Sequence, residues 1–176
     1  MKIFIVNGSP RSGKTTFETF VQEHLGFKNV YILSIIDPIK RMAEIVGYKG
    51  TKSNKDRKFL SDLKDLVDGY NNYLFEYIRE ELRFIQSVQK NHNQDLDKVI
   101  VFIDSRETKD ISYLKETFNA KTIYVDKEQS KNVELSNHAD TESSNKENYN
   151  YDIIIDNNYC LDILKEKAIK FCEEYC

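Results

Sequence analysis

The sequence has no tryptophan, two prolines, six glycines and three cysteines in 176 residues. No apolar run approaches the ~20 residues that cross a bilayer, so no transmembrane helix is expected. Met1-Lys2 leads into four apolar residues that run straight into a glycine loop. That reads as a buried first strand, too short for a signal-peptide core. Cys160, Cys172 and Cys176 fall late in the chain without metal-ligand spacing. Free thiols in a reducing cytoplasm are the expectation, and the cytoplasm is the expected location. Neither charge sign dominates: the net charge is −3, which gives no basis for a nucleic-acid footprint or a membrane-surface role. There is no internal repeat. Length and composition are those of one globular domain, 1–176, large enough to bury a core.

What is present begins with Gly8-Ser9-Pro10-Arg11-Ser12-Gly13-Lys14-Thr15-Thr16. It follows the apolar run Ile3-Phe4-Ile5-Val6 and opens a helix-like stretch, Phe17 to Leu25. Strand, glycine-bounded loop and helix are the context in which G-x-x-x-x-G-K-[ST] denotes a phosphate-binding loop. Gly8 and Gly13 let the backbone turn and approach an anion without a Cβ clash. Backbone N–H groups then converge on one concavity at the positive end of the helix. Lys14 adds a charge for the β/γ-phosphates, and the Thr15 hydroxyl is placed to ligate Mg²⁺.

The remaining elements follow in order. Asn29 to Ser34 is a second strand. Asp37 to Gly47 is a short helix, with Asp37 as N-cap, Pro38 in the first turn, and Ile39, Met42, Ala43 and Val46 on one face. Tyr48 to Asp56 reads as a loop. Arg57 to Val67 has helical spacing at Phe59, Leu60, Leu63, Leu66 and Val67. Tyr73 to Val88 is a helix with Leu74, Tyr77, Ile78, Leu82, Ile85 and Val88 inward. Val99 to Ile103 is continuously apolar, as in a parallel strand covered on both faces, and ends in Asp104-Ser105-Arg106-Glu107. A helix over Thr108 to Phe118, a strand over Lys121 to Val125, a strand over Asp152 to Ile155 and a closing helix over Leu161 to Tyr175 complete the pattern. Asp126 to Tyr151 is polar, and a segment of that length between strands reads as a lid.

Alternating strands and helices predict an α/β fold: a doubly wound parallel sheet of about five strands, of the P-loop NTPase, nucleotide kinase-like type. Ligands of such sheets bind beyond the carboxyl ends of the strands. One mouth should therefore gather the Gly8 to Thr15 loop, Asp37, Asp104 with Arg106, and the polar segment after Val125. An apolar strand ending in Asp is the usual second element of a Mg-nucleotide site, which marks Asp104 as metal-side carboxylate. Arg106 would enter the same mouth, where a planar fork suits phosphate.

On these residues the chain resembles the nucleoside monophosphate kinases, and more narrowly the deoxynucleoside monophosphate kinase-like proteins of bacteriophages and bacteria. The matching pieces are Gly8 to Thr16, Ser34 to Ala43, the Arg57 helix, Ile103 to Glu107, Asn137-His138-Ala139-Asp140, and Tyr151 to Asn157. The resemblance spans nearly the whole chain, and its most specific part is the phosphate loop. It implies ATP-dependent phosphoryl transfer, with Mg²⁺, to a small nucleotide acceptor held between a helical insert at about 37–92 and the Asp104-Arg106 turn. Within it, Ser9, Arg11, Ser12 and Thr16 join Gly8, Gly13, Lys14 and Thr15 around ATP. Lys14 serves the transferring phosphate, and Thr15 with Asp104 serves the metal. Arg57 and Arg106 serve the acceptor phosphate, and Asp37 and Arg41 the acceptor itself. The segment at about 126–151 would close over the site. Tyr70, Tyr73 and Tyr77 offer a stacking surface for a base, against the plainer reading of helix packing. In one respect the chain departs from the group, whose lids commonly carry arginine: no Arg follows Arg106, and the lid offers Lys127, Lys131, Lys146 and His138. Either Arg11, Arg57 and Arg106 supply the transition-state charge, or catalysis is weak or lost. A kinase for another phosphorylated metabolite, and a nucleotide-binding protein without transfer activity, fit the loop equally well. A homodimer is left open.

Overall fold

The computed structural model describes residues 1–51, 53–128, 138–144 and 146–176. Its strands are β1 (Lys2–Asn7), β2 (Val30–Ser34), β3 (Ile100–Asp104), β4 (Lys121–Asp126) and β5 (Ile153–Asp156). Its helices are α1 (Lys14–Leu25), α2 (Asp37–Ile45), α3 (Asn54–Tyr70), α4 (Tyr73–Asn91), α5 (Thr108–Phe118), α6 (His138–Ser143) and α7 (Leu161–Tyr175). The five strands form one parallel sheet in the order β2-β3-β1-β4-β5.

The apolar strands are explained by two buried layers. Along β1 and β3, Phe4, Val6, Ile100 and Phe102 face one side, where Phe17 and Val21 of α1 and Leu164, Ala168 and Phe171 of α7 pack. The alternate residues Ile5, Val101 and Ile103 face the other side, against Ile39, Leu74, Ile78, Leu82, Ile111 and Leu114 from α2, α4 and α5. A two-residue period supplies both faces, so neither can be polar. Phe171 lies at the centre of the first layer, with ring centroids 5.0 Å from Phe4 and 5.4 Å from Phe17, both edge-on. Burying such a side chain contributes about 1.5–3 kcal/mol.

This topology positions the site. The connection leaving β1 runs over the α1 face toward β2, while the one leaving β3 crosses the opposite face through α5 to β4. The ends of β1 and β3 are adjacent, with Val6 opposite Asp104. Chains departing to opposite faces from neighbouring strands open a crevice between them, and that is where ligands of open α/β sheets bind.

Several local expectations are corrected. The helix expected from Arg57 starts at Asn54, because the Ser53 hydroxyl accepts the Asp56 N–H at 3.1 Å and caps it. Its inward stripe is narrower than the periodicity suggests: Leu60, Leu63 and Val67 pack inward, but Leu66 is exposed and Phe59 partly so. Lys64 is buried instead, held by Asp68, Glu107 and Asp110. Asp37 is the first helical residue of α2 and Ile36 the cap, since the Asp37 carboxylate accepts the Ser34 N–H at 3.0 Å. Val46 lies outside α2 and is exposed. The polar stretch after Val125 contains α6 and a 3-10 turn, Lys146–Asn148, stabilised by tertiary contacts that periodicity does not register. Cys160, Cys172 and Cys176 are free thiols. Among the described residues no helix is long and apolar enough to cross a membrane.

Candidate functional site

The Gly8–Thr15 loop turns because three of its residues take left-handed backbone: Gly8 at φ 146°, Arg11 at φ 66° and Gly13 at φ 95°. At Gly8 a Cβ would come within 2.4 Å of the Val125 carbonyl oxygen, and at Gly13 within 2.4 Å of Asn157 Nδ2. Both glycines are therefore required by sterics as well as by φ. The Ser12 N–H donates to Ser9 O at 3.1 Å and tightens the bend. Asn7, buried at the end of β1, accepts the Gly8 N–H at 2.7 Å on Oδ1 and donates through Nδ2 to the Tyr151 hydroxyl at 2.7 Å. Asn157, just past β5, donates to Ser12 O at 2.8 Å. Gly13 caps α1, whose first turn carries no acidic residue, so the positive helix end is left uncompensated.

Lys14 folds back over this loop and donates to Gly8 O at 2.6 Å and Ser9 O at 3.2 Å. Burial lowers its ammonium to about 8, against the opposing pull of Asp104. Ser9 and Ser12 are buried, Arg11 and Thr15 are exposed, and Thr16 is half-buried.

Asp104 ends β3 beside this loop. Its Oδ1 is buried and has no hydrogen-bond partner among the described residues. Burial raises its carboxyl, with Lys14 and Arg106 pulling the other way. Glu18, one turn after Lys14, is fully buried, and neither carboxylate oxygen has a hydrogen-bond partner among the described residues. Burial and then Asp104 raise it well above the ordinary carboxylate range, opposed by Lys14. Sequence reading passed over Glu18; the i, i+4 spacing from Lys14 was the signal available. A hard divalent cation suits such unsatisfied carboxylate oxygens, because its charge favours their ionised form. The Asp104 oxygen and the exposed Thr15 hydroxyl thus fit Mg²⁺.

Facing the loop, Arg57 of α3 and Arg106 of the β3–α5 turn meet on one carboxylate. Arg57 Nη1 donates to Asp140 Oδ2 at 2.9 Å, and Arg106 Nη1 donates to Asp140 Oδ1. The resemblance included Asp140 without giving it a role, and sequence spacing cannot show this meeting of three distant residues. Asp37 and Arg41 lie on α2, and Asp37 is engaged within its own turn while Arg41 reaches α4. Asp37 accepts from Ser34 N and from Lys40 Nζ at 2.8 Å. Arg41 donates to the Tyr77 hydroxyl at 3.4 Å with its guanidinium 5.4 Å from that ring's centroid. Tyr70 is exposed and Tyr73 partly exposed. Lys146 donates to Asp126 at 2.7 Å. Lys131, Asn137 and the His138 side chain lie outside the described residues.

No protein-family model matches this chain, and no curated protein matches its sequence. Solved structures do resemble it in shape. A candidate kinase from Chloroflexus aurantiacus aligns over 99% of this chain and 98% of its own, at 13% identity and a TM-score of 0.51. Shikimate kinase from Aquifex aeolicus aligns over 99% and 97%, at 12% identity and 0.46. The Mycobacterium tuberculosis APS kinase aligns over 98% and 96%, at 13% identity and 0.46. At such identities the likeness concerns the fold. Sheet order, glycine-bounded loop and the 0.51 alignment together define an α/β P-loop NTPase fold.

Proposed function

We propose that the chain transfers the γ-phosphoryl group of ATP to a small acceptor that itself carries a phosphate, a (deoxy)nucleoside monophosphate. One observation carries this reading: the phosphate loop with Lys14 lies at the β1–β3 crevice, and Arg57 and Arg106 converge across it on Asp140. Phosphoryl transfer needs positioning and charge neutralisation more than covalent chemistry. A donor cradle facing a paired-arginine site supplies both.

In this mechanism the loop amides and the α1 terminus hold the triphosphate. Lys14 exchanges the carbonyls of Gly8 and Ser9 for donor phosphate oxygens. That exchange favours the charged form of an ammonium that burial has weakened. Arg57 and Arg106 orient the acceptor phosphate for in-line attack, and Asp37 and Arg41 line the acceptor side on α2. Thr15 and Asp104 would hold Mg²⁺, which when bound neutralises charge on the transferring phosphate. The helical insert at about 37–92 forms the acceptor wall. The segment at about 126–151, of which residues 129–137 and 145 lie outside the described residues, would close over the site, since an open one would hydrolyse ATP.

Coupled ADP release across a panel of (deoxy)nucleoside monophosphates tests the reading. Turnover that depends on one or a few of them supports it. Turnover only with other phosphorylated metabolites would move the acceptor class. Tight ATP binding with no turnover would favour a nucleotide-binding protein, a reading to which the engagement of both arginines by Asp140 lends weight.

A further inference from the structure

Asp140 sits on α6 with its side chain fully buried, whereas the Arg57 and Arg106 side chains are 18% and 39% exposed. Each carboxylate oxygen takes a different guanidinium, and the two arginines come from elements separated by the whole of α4 and β3. Left to themselves, two neighbouring guanidiniums repel. A single anion between them cancels that repulsion and sets their spacing. Together the three side chains carry one net positive charge.

The anion is itself held firmly. Ser143 O accepts the Tyr124 hydroxyl at 3.0 Å, and Glu142 Oε1 accepts the Thr108 N–H at 2.7 Å. These contacts tie α6 to β4 and to the start of α5, so Asp140 is fastened to the carboxyl end of the sheet. A carboxylate standing in for a missing ligand would be expected on a solvent-facing, movable side chain; this one is fully buried on an anchored helix.

We propose that Asp140 is a positioning residue: it holds Arg57 and Arg106 as one two-sided fork for the phosphate of the acceptor and does not itself touch that acceptor. The role of the fork rests on the phosphotransferase reading above. The holding of the arginines does not, and the two are tested separately.

The test compares the wild type with Asp140→Asn by two measurements. The first is ¹⁵N relaxation at the Nε–H of Arg57 and Arg106, which needs no substrate. Both guanidiniums are expected to be ordered in the wild type and mobile in the variant. The second is steady-state kinetics. The acceptor KM is expected to rise by at least ~10-fold, as for loss of a charge-assisted contact, with the ATP KM within about 2-fold of wild type. Arginines that stay ordered in Asp140→Asn overturn the proposal. So does a fall in the acceptor KM, which would mark Asp140 as a placeholder for the acceptor. If the wild type turns over no monophosphate, the proposed function fails while the relaxation data still decide the positioning claim. Should Asp140→Asn not fold, Arg57→Met serves: Arg106 is expected to stay ordered on Asp140, and its release would overturn the proposal.

Discussion

Asn157 and Ser12 are joined by a hydrogen bond of 2.8 Å from the Asn157 side-chain amide to the Ser12 carbonyl, across 145 residues of sequence. The segment after β5 thereby clamps the phosphate loop beside Gly13. The same Nδ2 lies 2.4 Å from where a Gly13 Cβ would stand. Gly13→Ala should therefore cost about 1–3 kcal/mol, from left-handed strain and the clash together. Asn157→Ala should cost about 1 kcal/mol for the lost hydrogen bond. The double variant should lose less than the sum, because removing the amide removes the clash. Urea unfolding of the four proteins checks the cycle, and strict additivity would mean that the two residues do not meet.

Lys14→Ala should abolish turnover and leave the far-ultraviolet circular dichroism unchanged. Near-normal rates would remove the donor site. The wild type carries a pH signature as well. With the Lys14 ammonium lowered to about 8, its charge is present below that pH and lost above it. ATP affinity should weaken as pH climbs past 8, in titration calorimetry, while a lysine of ordinary pKa would hold its affinity to ~10.

Arg106→Ala should raise the acceptor KM or lower kcat by at least ~10-fold, since a charge-assisted hydrogen bond is worth ~1.5–3 kcal/mol. Steady-state kinetics with saturating ATP measures this. An unchanged acceptor response would reassign Arg106 to structure.

The buried network on Lys64 predicts a pH effect on stability. Lys64 meets Asp68, Glu107 and Asp110, and Lys109 joins from the rim. Burial raises Asp110 to about 6 despite Lys64, and the neighbouring Glu107 adds to the rise. The folded state therefore holds this proton where the unfolded chain has released it. The wild type loses stability from this group as pH rises from about 4 to 6. Asp110→Asn cannot ionise and escapes that loss. Its Tm relative to wild type should be higher at pH 8 than at pH 4. A difference independent of pH would place the source elsewhere.

Much of the fold was legible in the residues. Apolar runs at β1 and β3 required a sheet covered twice, and Gly8 and Gly13 required a tight left-handed turn between strand and helix. Asp104 and Arg106 could be placed at the same mouth, because the ends of parallel strands converge whatever lies between them. The polar stretch around α6 was not legible. Six helical residues with one buried carboxylate carry no periodic signal, and their stability comes from Tyr124, Thr108 and the two arginines.

Local chemistry alone determined the loop: φ preferences, a missing Cβ and an uncompensated helix end act over a few residues and need no knowledge of the rest. Tertiary structure alone decided which charges share a partner. Arg57, Arg106 and Asp140 come from α3, the β3–α5 turn and α6, and the charge of Asp104 on β3 acts on Glu18 of α1. Burial and Coulomb interaction depend on distance in space, and spacing along the chain sets that distance only within a single helix or strand.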